Sequence, residues 1–117
     1  MKDFRDLTVW QKAHTLTLDV YGSTTAFPKD EMYSLTNQIR RAAVSIPANI
    51  DEGCGKRGDK QLAHYLTIAM GSASELEYEL LLAHDLHYLA DEAYQPIQTQ
   101  LVELRRMLNG LIQKCSG

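Results

Sequence analysis

Apolar side chains recur every three to four residues through four successive segments of this chain. A repeat near 3.6 residues gathers such side chains on one face of an α-helix, whereas a half-buried strand needs strict alternation. The sequence contains no alternating run enriched in β-branched residues and bounded by turn signals. It therefore predicts an all-α protein with four amphipathic helices and no sheet.

The predicted helices cover about residues 6–25, 31–52, 60–89 and 92–114. Pro28 ends the first, and Asp30 is expected to cap the second. Pro47 lies inside the second helix and predicts a kink or a local break there. Three glycines within residues 53–58 end that helix, and Asp59 is the expected N-cap of the third. Four helices with short connections predict an up-down four-helix bundle, with residues 1–117 forming a single domain.

A second, polar stripe runs beside the apolar one on the second and third predicted helices. Its members recur at helical spacing, and they are Arg41, Ser45, Asn49 and Glu52 on one helix and Ile68, Ser72, Glu75 and Glu79 on the other. A contact between Arg41 and Glu75 is possible, either inside the bundle or across a subunit boundary. We interpret Arg41, Ser45, Asn49, Glu52, Ser72 and Glu75 as a self-association surface; the alternative is a solvated face without a partner. The small residues 71–74 and the tyrosines Tyr33, Tyr78, Tyr88 and Tyr94 favour the first interpretation.

The residues that could carry chemistry do not form a recognisable catalytic or metal-binding motif. None of the four histidines has a glutamate three residues before it, as paired-metal helical bundles require. His84 and His87 are the nearest approach to a ligand pair, and surface histidines are the alternative. The glycines at 53, 55 and 58 follow a predicted helix instead of a strand, which excludes a dinucleotide loop. Cys54 and Cys115 are interpreted as cytosolic thiols, and a disulfide between them is the alternative. We therefore expect no catalysis, no cofactor, no metal and no small-molecule substrate.

Charge and hydropathy limit the possible partners. The net charge is -3, whereas a protein whose whole surface binds nucleic acid is normally basic. Local patches remain possible, and the candidate nucleic-acid contacts are Arg40, Arg41, Lys56, Arg57, Lys60, Arg105 and Arg106. The charged first residues predict no signal peptide, and no apolar stretch is long enough to cross a membrane. We expect a cytoplasmic protein without a membrane partner.

Several motifs together resemble one known family. The stretch Ile39–Gly53, with the sequence IRRAAVSIPANIDEG, is similar to the hallmark of the four-helix bundle proteins first noticed as open reading frames in intervening sequences of bacterial 23S ribosomal RNA genes. Further matches are Phe4–Ala13, Gly71–Glu77 and Arg105–Ile112, so the resemblance covers nearly the whole chain in the same order.

The resemblance implies an up-down four-helix bundle that assembles as a ring-like homopentamer. Most members of the family have no established activity. One branch resembles the accessory variability determinant protein of diversity-generating retroelements, a basic pentamer that binds nucleic acid and a reverse transcriptase. The net charge of -3 differs from that branch. The leading hypothesis is therefore a non-catalytic homo-oligomeric scaffold with an unknown partner, and a nucleic-acid-binding accessory protein is the alternative.

Overall fold

The computed structural model describes residues 3–116, which form four α-helices joined by short connections. The helices are α1 (Thr8–Thr24), α2 (Leu35–Cys54), α3 (Asp59–Asp85) and α4 (Asp91–Ser116), and short 3₁₀ turns at Phe4–Asp6 and Lys29–Glu31 precede α1 and α2. Each helix packs against the next one in the chain, and α4 also packs against α1. The result is an antiparallel up-down bundle measuring 43 × 24 × 20 Å. No strand occurs between residues 3 and 116, so the all-α prediction is confirmed.

Leucine, isoleucine and alanine fill the space between the four helices. The large side chains that are fully buried include Leu16, Ile39, Ile46, Ile50, Leu66, Leu76, Leu80, Leu101, Leu104 and Leu108. Buried alanines at 13, 43, 69 and 73 let the helices approach closely between these larger residues. The apolar stripes of the four helices therefore face one common core, as the 3.6-residue repeat predicts, except for Met32, which precedes α2 and is exposed.

The start of α2 differs from the sequence expectation. The helix begins at Leu35 instead of residue 31, because Lys29–Glu31 form a separate 3₁₀ turn. The Glu31 carboxylate, and not that of Asp30, accepts a hydrogen bond from the backbone N–H of Leu35 at 3.5 Å. The helix then continues through Pro47 to Cys54 without the predicted break.

The ends of α3 are also displaced. Gly58, with φ +82°, precedes the helix, so Asp59 is its first residue and not its cap. The helix ends at Asp85, four residues before the expected end, because His87 adopts a positive φ of 66°. The N–H of Tyr88 reaches back to the carbonyl of Ala83 at 2.9 Å, which closes the helix in the manner of a Schellman motif.

Gly53 permits the close approach of α2 and α3. A Cβ placed on it would lie 2.9 Å from Leu62 Cδ1 and 3.0 Å from Tyr65 Cβ. We expect Gly53→Ala to lower the free energy of unfolding by about 1–3 kcal/mol, because the Tyr65 Cβ cannot move without its helix. Gly110→Ala is the matched control, since nothing lies within 4 Å of that position and the added methyl should raise stability by about 0.5–1 kcal/mol. Urea denaturation measures both, and a stabilising Gly53→Ala would contradict this packing.

Candidate interaction surface

A polar network joins α2 to α3 on one side of the bundle. The hydroxyl oxygens of Ser45 and Ser72 lie 2.8 Å apart, so the two helices share a hydrogen bond at this point. The Asn49 side-chain amide donates to the Ser45 carbonyl at 2.8 Å and to its hydroxyl at 3.0 Å. We call the surface formed by Arg41, Ser45, Asn49, Glu52, Ile68, Ser72, Glu75 and Glu79 the α2–α3 face. The structure thus brings the two halves of the polar stripe together.

The outer members of the α2–α3 face are exposed. Arg41, Glu52 and Glu75 all reach solvent, and Ile68 is 40% exposed. Glu52 pairs loosely with Lys56 at 3.8 Å. Among residues 3–116 no ion pair joins Arg41 to Glu75, so the bundle itself does not form the intrachain contact considered from the sequence.

Glu79 is the member of the face whose environment is most unusual. It is only 8% exposed, and within the described part of the chain its Oε1 atom has no hydrogen-bond partner. Burial, together with the nearby Glu75 carboxylate, raises the pKa of Glu79 to about 7. Desolvation favours the neutral form of a carboxyl group, and a neighbouring negative charge acts in the same direction. The helical spacing assigned Glu79 to the polar stripe, but spacing gives no measure of its burial.

Two of the seven candidate nucleic-acid contacts are held by other side chains of the bundle. Arg40 donates to the Thr24 hydroxyl at 2.9 Å and to the Tyr21 carbonyl at 3.3 Å, and its guanidinium lies 4.7 Å from the Tyr21 ring centre. Arg105 pairs with Glu77 at 2.6 Å. Arg40 therefore links α2 to α1, and Arg105 links α4 to α3.

Three of the remaining basic residues lie near one end of the bundle. Lys56 and Arg57 line an open cleft of about 580 Å³, which Lys114 from α4 also lines. Lys60 is exposed in the first turn of α3 close by. Arg41 and Arg106 are exposed on α2 and α4, away from that turn. The seven residues therefore do not form one continuous patch within a single copy.

The cleft also contains both cysteines, which are 61 positions apart in the sequence. Cys54 closes α2 and Cys115 lies near the end of α4; both thiols are free. Burial raises the pKa of both Cys54 and Cys115, so the thiol form is favoured at neutral pH. The sequence spacing gave no sign that these residues share a cleft.

His84 lies at the opposite end of the bundle, beside the α3–α4 turn. Its ring stacks on Tyr94 with 4.4 Å between ring centres, and Nε2 lies 2.5 Å from the Asp91 carboxylate. The hydrogen bond to Asp91 raises the pKa of His84. Over residues 3–116 no group of three or more His, Cys, Asp and Glu side chains is arranged to hold a metal ion. No helix in the same range is long and apolar enough to span a bilayer.

These features define a class of protein: a small antiparallel four-helix bundle with a polar, partly buried face between its second and third helices. The chain belongs to the 23S rRNA-intervening sequence protein family, whose family model matches residues 5–110. The resemblance seen in the sequence is thereby confirmed.

A solved structure extends this assignment to the fold. The chain is similar to a protein of unknown function from the S23 ribosomal protein family of Bacteroides thetaiotaomicron, with a TM-score of 0.80 and 26% sequence identity. The similarity covers 90% of this chain and 98% of that chain. No curated protein matches the sequence.

Proposed function

We propose that this chain is a non-catalytic scaffold that assembles with copies of itself in the cytoplasm, as a ring-like homopentamer. The observation that carries the proposal is the unpartnered carboxyl oxygen of Glu79, which is buried in a face that also exposes Ile68. A buried polar atom without a hydrogen bond costs free energy, and native structures contain few of them. Because Oε1 is enclosed within the single chain, the Glu79 side chain must turn outward to meet a donor from a second copy that covers the α2–α3 face. The ring and its five copies follow from the family resemblance.

Exposed aromatic side chains support a role in contact formation. Tyr33 is 91% exposed and Tyr78 is 63% exposed, and tyrosine is enriched where proteins meet. Tyr94 is buried, and the Tyr88 hydroxyl donates to the Glu31 carboxylate at 2.9 Å. Tyr33 and Tyr78 are thus exposed and available to a partner, whereas Tyr88 and Tyr94 make contacts within the bundle.

The mass of the particle in solution tests the proposal. Light scattering behind a sizing column is expected to give five times the chain mass of 13.2 kDa, at concentrations well above the dissociation constant. A dimer or a tetramer would support self-association and contradict the ring of five. A single 13.2 kDa copy at every concentration would contradict the scaffold altogether.

A nucleic-acid-binding accessory protein, acting on RNA or DNA either alone or together with a reverse transcriptase, is the second candidate. The observation that favours it is the cleft where Lys56, Arg57 and Lys114 meet. In a ring this cleft is repeated once per copy, and multivalency strengthens weak phosphate contacts. The net charge of -3 acts against it, so binding would depend on these local clusters.

Fluorescence anisotropy of a labelled structured RNA and of a duplex DNA tests this second candidate. If it is right, affinity falls by about tenfold or more between 50 and 200 mM salt, because phosphate contacts release counterions. Arg57→Glu is expected to weaken binding further. Lys29→Glu, which makes the same charge change next to the start of α2 at the other end of the bundle, should have little effect. If an intact oligomer does not bind nucleic acid even at low salt, the second candidate is contradicted and the scaffold remains as the proposed function.

A further inference from the structure

We propose that Arg41 of one copy inserts its guanidinium between Glu75 and Glu79 of the neighbouring copy, so that the α2–α3 face is completed only across a subunit boundary. This inference rests on the proposed homo-oligomer. It names the partner of the buried carboxyl group as a second copy of this chain. Three features of the molecule support it: the register of α2 and α3, the charges of the α2–α3 face and the unpartnered oxygen of Glu79.

The register between α2 and α3 is fixed at two places. Ser45 lies opposite Ser72, and Gly53 lies opposite Leu62 and Tyr65. Because the helices are antiparallel, moving four residues from Ser45 towards the start of α2 corresponds to moving four residues from Ser72 towards the end of α3. Arg41 is therefore level with residue 76, about 1.5 Å along the axis from Glu75 and about 4.5 Å from Glu79. An arginine side chain can span both offsets.

Symmetry turns this register into an intermolecular contact. A rotation axis that runs along the bundle leaves every residue at its own height. Arg41 on α2 of one copy is then level with Glu75 and Glu79 on α3 of the next copy, wherever these two helices meet around the axis. Within residues 3–116 Arg41 has no ion pair, and neither does Glu75 or Glu79. One face thus carries a free cation and two free carboxyl groups at matching heights.

The chemistry of the two partners fits this arrangement. A guanidinium carries five N–H donors in a planar fork and can bridge two carboxylates. The Oε1 atom of Glu79 has no donor and is enclosed in the single chain, so the Glu79 carboxyl group must turn outward to meet the guanidinium. Glu75 supplies an exposed carboxylate a helical turn away. The side chain of Ile68, which is 40% exposed two turns before Glu75, lies on the same face and would be covered by the same neighbour. Lysine could not bridge both groups with the same geometry.

The contact links assembly to pH. The charged group that raises the pKa of Glu79 is Glu75, on the same helix. On α2, Arg41 lies at the height of these two carboxyl groups. On the α4 side of α3, Arg105 is paired with Glu77. In the separate chain the pKa of Glu79 is about 7, and pairing with a guanidinium lowers it. The assembled state therefore binds fewer protons near neutrality, so association strengthens as the pH rises and weakens as it falls.

Charge exchange at this contact is the test. Arg41→Glu is expected to raise the dissociation constant of the oligomer by about 100-fold at pH 8, measured by sedimentation equilibrium, since it places three acidic groups together. Adding Glu75→Arg to the same chain should recover at least about tenfold of that loss. Arg106→Glu makes the same charge change on the exposed side of α4 and should leave the constant within about twofold. Circular dichroism verifies that each variant is folded.

A pH series supplies a second readout. Between pH 6 and pH 8 the dissociation constant of the unmodified protein should fall by about tenfold per interface, and Glu79→Gln should abolish this dependence. The inference is overturned if Arg41→Glu does not affect the oligomer, or if assembly does not change with pH. Either result would leave the proposed scaffold function uncontradicted. A protein that remains a single copy at all concentrations would instead contradict both the proposed scaffold function and this inference.

Discussion

Replacement of Leu76 by alanine is expected to lower the free energy of unfolding by about 3–5 kcal/mol. Leu76 is fully buried in the middle of α3, where it packs with core side chains of the other helices. Removing its three outer carbons loses their transfer free energy and leaves a cavity that rigid helices cannot close. Because a bundle of this size has a total stability of about 5–15 kcal/mol, such a loss is a large fraction of it.

Urea denaturation followed by circular dichroism measures this effect. Leu18→Ala is the matched control, because it is the same substitution on α1 at a side chain that is 59% exposed. Its expected change lies within about 0.5 kcal/mol. A loss below about 1 kcal/mol for Leu76→Ala would mean that α3 does not pack in the centre of the bundle as described.

Glu79→Gln should raise the stability of the single folded chain by about 1–3 kcal/mol at pH 8. In the folded chain the pKa of Glu79 is raised from 4.5 to about 7. Folding therefore favours the protonated carboxyl, and the stability is greatest below pH 4.5, falls as the pH rises to about 7, and is constant above that value. Glutamine keeps the shape of the protonated side chain and removes this cost.

The measurement is urea denaturation at pH 5 and pH 8, at protein concentrations where light scattering gives a single copy. At pH 5 the gain should be below about 1 kcal/mol, because most of the carboxyl groups are then protonated in the folded chain. Glu75→Gln controls for the loss of one exposed charge on the same face. An equal gain at both pH values would show that burial of the charge at Glu79 is not the cause.

Periodicity predicted the number of helices and most of the core, because the spacing of apolar residues directly reports which face of a helix is buried. It predicted the helix ends less well. The end of α3 depends on the positive φ of His87, a conformation that is uncommon for residues other than glycine and that helical spacing does not predict. The late start of α2 depends on a 3₁₀ turn at Lys29–Glu31, which helical spacing does not separate from the helix that follows.

Distances between helices could not be read from the sequence. Spacing assigned Ser45 and Ser72 to facing stripes, and their hydrogen bond fits that assignment. It could not reveal that Glu79 is buried, since burial depends on the neighbouring helix and not only on the angle of a side chain about its own axis. For the same reason the sequence places Arg40 among the candidate nucleic-acid contacts, although Thr24 and Tyr21 of α1 hold its guanidinium.

The antiparallel order of the helices has a consequence for connectivity. Leu7, just before α1, and Cys115, at the end of α4, line the same cleft, so the two ends of the bundle's backbone meet there. Because α4 also packs against α1, each helix contacts the helices before and after it in a closed cycle. The chain can therefore be circularly permuted without a change in which helices pack together. Joining residues 7 and 115 with a short linker and opening the turn at residues 86–90 would retain all four helix-to-helix packings. The short 3₁₀ segment at Phe4–Asp6 and the last residue of α4 would be lost to the linker.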